Sequence, residues 1–236
     1  MASPEVQRFN ERFDRARLFE ENGKWYMRAK LNGPAAEIPQ QLARVAKTGL
    51  RISRNYDSAQ PFGEEKEVWR GINCHRAALY AIGLIDRTDP EKGTAEHPHY
   101  EYAFFPFESF QKYLSVEDLE KFIKERVGNE LGLVQIVGYQ DKDSNTLSRE
   151  DAGTTPKLAH TFIVKADSEG GIVCFEKVNY GPQFSITGLR QIYERAYGEK
   201  GYWNATTVEE IKHSEIARKM REELDEAKKR MHASIS

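Results

Sequence analysis

The 236-residue chain holds two cysteines and six histidines, and Cys74 and His160 stand in contexts suited to nucleophilic catalysis. A cysteine attacks as the thiolate, and a free thiol keeps its proton up to a pKa of about 8.5. The first turn of a helix lowers that value, because unpaired backbone N–H groups and the helix dipole favour negative charge there. Asn73 is a good N-cap, its side-chain oxygen accepting from first-turn amides, so Cys74 is expected as the first helical residue. Its own N–H would then help to hold an oxyanion, with a second donor from residues 69–73. His160, at the head of a β-like run, is the candidate base.

A base of this kind needs a third group to orient its ring. If the hairpin after His160 turns symmetrically about Ser168, Glu176 lies directly across from His160 on the same face of the sheet. Asn179, slightly beyond the strand, is the competing orienter, and a solvated strand end is the plainer reading of Glu176 and Lys177. Cys174 falls in mid-strand, on the face of His160 by parity, and reads as core. His75 points a third of a turn away from Cys74 and reads as a surface histidine. His97 and His99, with Glu96 and Glu101 nearby, place two imidazoles two residues apart, but no Cys/His pair at metal spacing joins them. No metal and no cofactor is therefore expected.

The elements that must position these groups follow from periodicity. Residues 74–84 read as a helix whose positions 74, 77, 78 and 81 are all small, a face that can approach a sheet closely. Residues 100–113 are dense in aromatics and read as core and cleft wall. Ser115 and Asp118 make a capping-box-like start for a helix to about Val127, and residues 133–139 read as a strand. Residues 160–165 and 172–177 flank a polar, glycine-bearing connection and form the clearest hairpin. Residues 188–197 read as helical. Toward the N-terminus, Val6, Phe9, Phe13 and Ala16 suggest a helix over residues 4–21, stopped by Asn22-Gly23, then a short strand over 24–30 and a short helix over 39–47. Residues 51–67, 86–100 and 141–157 read as loops. Residues 206–232 read as one long charged helix with a narrow apolar stripe at Ile216, Met220 and Leu224.

Asn73-Cys74 opening a small-residue helix, a later strand Ala159-His160-Thr161-Phe162-Ile163-Val164 and a hairpin partner Gly171 to Lys177 resemble the NlpC/P60-type papain-like superfamily. The resemblance covers roughly residues 68–200. It implies an α+β fold with an antiparallel sheet packed on the cysteine-bearing helix. It also implies hydrolysis of amide bonds in peptides or cell-wall peptides by Cys74, His160 and a polar third residue. Asn73 and His75-Arg76 stand where that family usually has Asp before the cysteine and Ser-Gly after it. The same order of residues also resembles transglutaminase-like proteins, in which the third residue is usually Asp.

The resulting expectation is an N-terminal helical extension over 1–50, a papain-like domain over 51–205 and a charged C-terminal helix over 206–236. The function expected is a cysteine-dependent amidase or peptidase acting on a peptide or protein substrate. Its rivals are deamidase, transglutaminase or acyltransferase activity at the same site, or a non-catalytic interaction scaffold that engages a partner through the C-terminal helix. A formal net charge of −2 gives no basic stripe for nucleic acid and no reason for a membrane partner. Two cysteines are too few for a disulfide framework. With no basic leader followed by an apolar run, and no stretch near the roughly 18 apolar residues of a membrane span, a cytoplasmic protein, or one secreted without a signal peptide, is expected.

Overall fold

Strand-forming, β-branched and aromatic residues alternate along the second half of the chain and build the sheet that carries the site. The computed structural model describes residues 7, 17–28, 35–38, 50–52, 73–85, 104–139, 156–166, 171–177, 184–194, 198 and 201–233. They form a mixed α+β fold. The main sheet has seven strands: β4 (Leu50–Ile52), β5 (Gln111–Lys112), β6 (Leu131–Tyr139), β7 (Pro156–Ala166), β8 (Ile172–Lys177), β9 (Phe184–Gly188) and β10 (Tyr202–Thr207). Their order is β4-β9-β8-β7-β6-β10-β5. Neighbours are antiparallel except β4 and β9, which are parallel.

Strand alternation splits the apolar side chains between two faces. Leu133, Ile163, Val173 and Phe175 pack with helix α1 (Cys74–Ala81). Val134, Ile136, Phe162, Val164 and Cys174 pack on the other side with α2 (Val116–Val127) and α3 (Leu189–Ile192). The small face expected of α1 is real: Ala77, Ala78 and Ala81 are buried there. Gly83, with φ 78°, ends that helix, and the Leu84 N–H returns to the Leu79 carbonyl at 2.9 Å. Ser115 caps α2 by accepting from the Asp118 N–H at 3.1 Å. In β6, Gly132 admits Val127 and Val164 where a Cβ would lie within 2.8 Å of their methyl groups.

The helix expected over 4–21 gives way to strand from residue 17; of residues 4–16 only Gln7, which is helical, lies among the described residues. Residues 17–21 form strand β1 (Arg17–Glu21), paired with β2 (Lys24–Arg28) and then β3 (Ala35–Glu37) in a separate three-stranded sheet. Asn22 and Gly23 both have positive φ, 51° and 75°, as a two-residue hairpin of type I′ requires. Asn-Gly serves equally as a helix stop and as a hairpin turn, and here cross-strand pairing decides, with Phe19 stacked on Tyr26 at 5.6 Å. Leu18 and Ile38 are buried in the same cluster as α1, so this segment belongs to the core of the domain. The helix expected over 39–47, most of the loops over 51–67 and 141–157, and the loop over 86–100 with His97 and His99 lie outside the described residues.

The C-terminal region also differs. Residues 206 and 207 complete β10, so the boundary expected at 205 falls inside a strand. The long helix is two: α4 (Val208–His213), capped by Thr207 and Glu210, and α5 (Glu215–Ala233). Ser214 separates them in extended conformation and accepts from the Ala217 N–H at 3.1 Å. The apolar stripe packs back on the domain, with Ala217, Met220 and Leu224 buried against the cluster around α1 and Ile216 half-buried beside them. None of the described helices is long and apolar enough to cross a membrane.

Candidate active site

Asn73 takes the N-cap position with extended backbone, and its side chain accepts from the Arg76 N–H at 2.8 Å. Cys74 is therefore the first residue of α1, as its neighbours in sequence led us to expect. Its backbone N–H belongs to the set that a helix leaves without an intrahelical acceptor. The side chain of Cys74 is partly exposed, whereas Cys174 is fully buried under α2, as its mid-strand position suggested.

His160 lies inside β7 rather than at its start, beside an irregularity in the ladder. His160 pairs with Ile136 and Leu158 pairs with Val137, which leaves Ala159 as an extra residue on β7. Such a bulge re-aims the neighbouring side chain. The β7–β8 ladder runs from Ala166 opposite Ile172 to Ile163 opposite Phe175. This register is two residues away from the one expected for a turn symmetric about Ser168, so Glu176 is diagonal to His160. A shift of two preserves the face, because side chains alternate with period two. His160 and Glu176 meet just beyond the end of the ladder, with Nε2 of the imidazole 2.8 Å from the Glu176 carboxylate. His160 also stacks on Phe162 with centroids 5.5 Å apart. Asn179, the competing orienter, lies outside the described residues.

The His160 ring hydrogen-bonds the Cys74 sulfur as well as Glu176. With Nε2 on the carboxylate, Nδ1 is the nitrogen left for sulfur. Burial by itself would raise the Cys74 thiol, but hydrogen bonds from His160 and His75, with the attraction of the His160 charge, outweigh it and bring the pKa down to about 5. Burial would lower His160, and its bonds to Cys74 and Glu176 reverse that and carry it up to about 9. Between those values the resting pair is thiolate and imidazolium.

Three neighbours were not singled out as site residues. His75, read as a surface residue, is only 6% exposed; its Nδ1 is 2.8 Å from the Thr161 hydroxyl oxygen, and its ring also bonds the sulfur. Gln135 Nε2 donates to the same hydroxyl at 3.3 Å, and Gln135 Oε1 accepts the Phe104 N–H at 2.8 Å. One polar side chain in the otherwise apolar run of β6 was the available signal for Gln135. Lys177 is 1% exposed, as is Glu176, so neither forms a solvated strand end. Burial pulls the Lys177 ammonium down to about 8, against the opposing attraction of the Cys74 charge. Of the aromatic stretch, Phe104 and Phe110 are buried, and Phe105 packs edge-on against Phe110 at 5.7 Å.

The described residues contain no cluster of three or more histidine, cysteine or carboxylate side chains placed to hold a metal ion. The arrangement can form a nucleophile, hold it as an anion and return a proton from His160. No protein-family model, no curated protein and no solved structure matches the chain.

Proposed function

We propose that the protein is a cysteine-dependent amidase or peptidase of papain-like architecture, with Cys74 as nucleophile, His160 as acid and base, and Glu176 as the group that orients His160. The observation that carries this reading is the contact series itself: a sulfur at a helix N-terminus, bonded to a buried imidazole whose far nitrogen is fixed by a buried carboxylate 2.8 Å away. The order of the three on a helix, a strand and the next antiparallel strand also supports it.

In this reading the Cys74 thiolate attacks the carbonyl carbon of an amide, and the Cys74 N–H donates to the developing oxyanion. His160 gives its Nδ1 proton to the departing amine, leaving a thioester on Cys74. Neutral His160 then takes a proton from water as the water oxygen attacks the thioester. Collapse returns the thiolate, the protonated imidazole and the carboxylic acid product. An amine in place of water would make the same site a transferase.

The test is iodoacetamide labelling of native protein across pH, followed by peptide mass spectrometry, in wild type and His160→Ala. Cys74 is expected to label rapidly below pH 7, far ahead of Cys174, and the His160→Ala variant to label more slowly there. Labelling of Cys74 with the pH profile of a free thiol in the wild type would refute the reading.

A further inference from the structure

Resting on the reading of Cys74 as nucleophile, we infer that His75 is a second catalytic N–H donor, holding the sulfur anion through Nε2 while Thr161 and Gln135 fix its tautomer as positioning residues. In this assignment the hydrogen bonds run in one direction. The Phe104 N–H occupies Gln135 Oε1 at 2.8 Å, which turns the Gln135 NH2 group toward Thr161. The Thr161 hydroxyl oxygen accepts from Gln135, and in the inferred tautomer its hydrogen goes to His75 Nδ1, the two atoms lying 2.8 Å apart. A neutral His75 that accepts at Nδ1 carries its proton on Nε2, and that is the donor a thiolate needs. Gln135 and Thr161 are 1% exposed, so water competes little for these bonds.

The two imidazoles then have separate duties. His160 lies between the sulfur and a carboxylate and exchanges a proton during the reaction. His75 lies between the sulfur and a neutral hydroxyl and serves as a hydrogen-bond donor only. The titratable and charged groups facing Cys74 among the described residues are His75 on its own helix, His160 on β7 and Lys177 on β8, with Glu176 behind His160. As the thiolate attacks, negative charge moves from sulfur to the carbonyl oxygen bonded to the same carbon, and a donor already on sulfur is close to both.

The experiment is the pH midpoint of Cys74 alkylation in wild type, His75→Leu, His75→Gln, Thr161→Val and His160→Ala. A hydrogen bond to a charged group is worth about one to two pH units. His75→Leu and Thr161→Val are each expected to move the midpoint up by about one unit or more. His75→Gln presents an amide N–H near the place of Nε2 and is expected to recover most of that shift. His160→Ala should still leave the midpoint below that of a free thiol. A wild-type midpoint already at the free-thiol value overturns both the hydrolase reading and this inference. A low wild-type midpoint that rises in His160→Ala but stays put in His75→Leu and Thr161→Val overturns only the inference. Should His75→Leu fail to fold, an unmoved Thr161→Val midpoint overturns it equally.

Discussion

Unfolding the protein at pH 5.0 and at pH 6.5 weighs the ion pair between Cys74 and His160. The folded thiol is held down at about 5 against an ordinary 9.0, so its contribution to stability is complete above 9 and disappears as pH falls through about 5. The folded imidazole is held up at about 9 against an ordinary 6.5, so its contribution is complete below 6.5 and disappears as pH rises through about 9. Between about 5 and 6.5 only the cysteine contribution changes: the unfolded pair binds two protons and the folded pair one. Stability should climb there at about 1.4 kcal/mol per pH unit, or about 2 kcal/mol over the interval. From 6.5 to 9 the growing cysteine and fading histidine contributions offset each other, and this pair leaves stability level. The perturbation is Cys74→Ser, which removes the titrating thiol at nearly constant volume. Urea unfolding of both proteins at the two pH values cancels, in the difference, the titrating groups that do not interact with Cys74. The stability of the wild type minus that of the variant should rise by about 2 kcal/mol from pH 5.0 to 6.5. A change below about 0.5 kcal/mol would mean that the folded thiol is protonated at pH 6.5, and the ion-pair argument would fail.

Glu176→Ala should lower unfolding free energy by about 3–5 kcal/mol, because it strands a buried imidazolium; Glu176→Gln, which keeps volume and an acceptor, should cost clearly less in the same urea titration. Gly132→Ala should destabilise by about 1–3 kcal/mol, since the new methyl would lie 2.6–2.8 Å from Val127 and Val164, and thermal unfolding measures it. Ser115→Ala should cost about 1 kcal/mol through loss of the α2 cap, again read from urea unfolding, with no change in Cys74 labelling.

Local chemistry made much of the site legible. Asn73 as cap, Cys74 in the first turn, the small face of α1 and the Ser115 cap each depend on residues within one helical turn, where sequence and structure are nearly the same statement. The β7–β8 hairpin was legible for a similar reason: its two strands are close in the chain, and even a register misjudged by two residues leaves Glu176 on the face of His160.

Longer-range pairing decided the rest. The bulge that aims His160 arises where β6 meets β7, between residues some twenty positions apart, and nothing within either strand marks it. Asn22-Gly23 fits a helix stop or a hairpin turn equally, until β2 is found lying against β1. Residues 206 and 207 suit a helix until β6 takes them as strand partners. His75 reads as surface because helical spacing fixes its angle relative to Cys74 but not what stands opposite. The sequence by itself determined which cysteine opens a helix, because the cap and the first turn lie within a few residues of each other. The tertiary structure decided which side chains surround that sulfur, because burial and charge at a point depend on segments that meet only when the sheet closes.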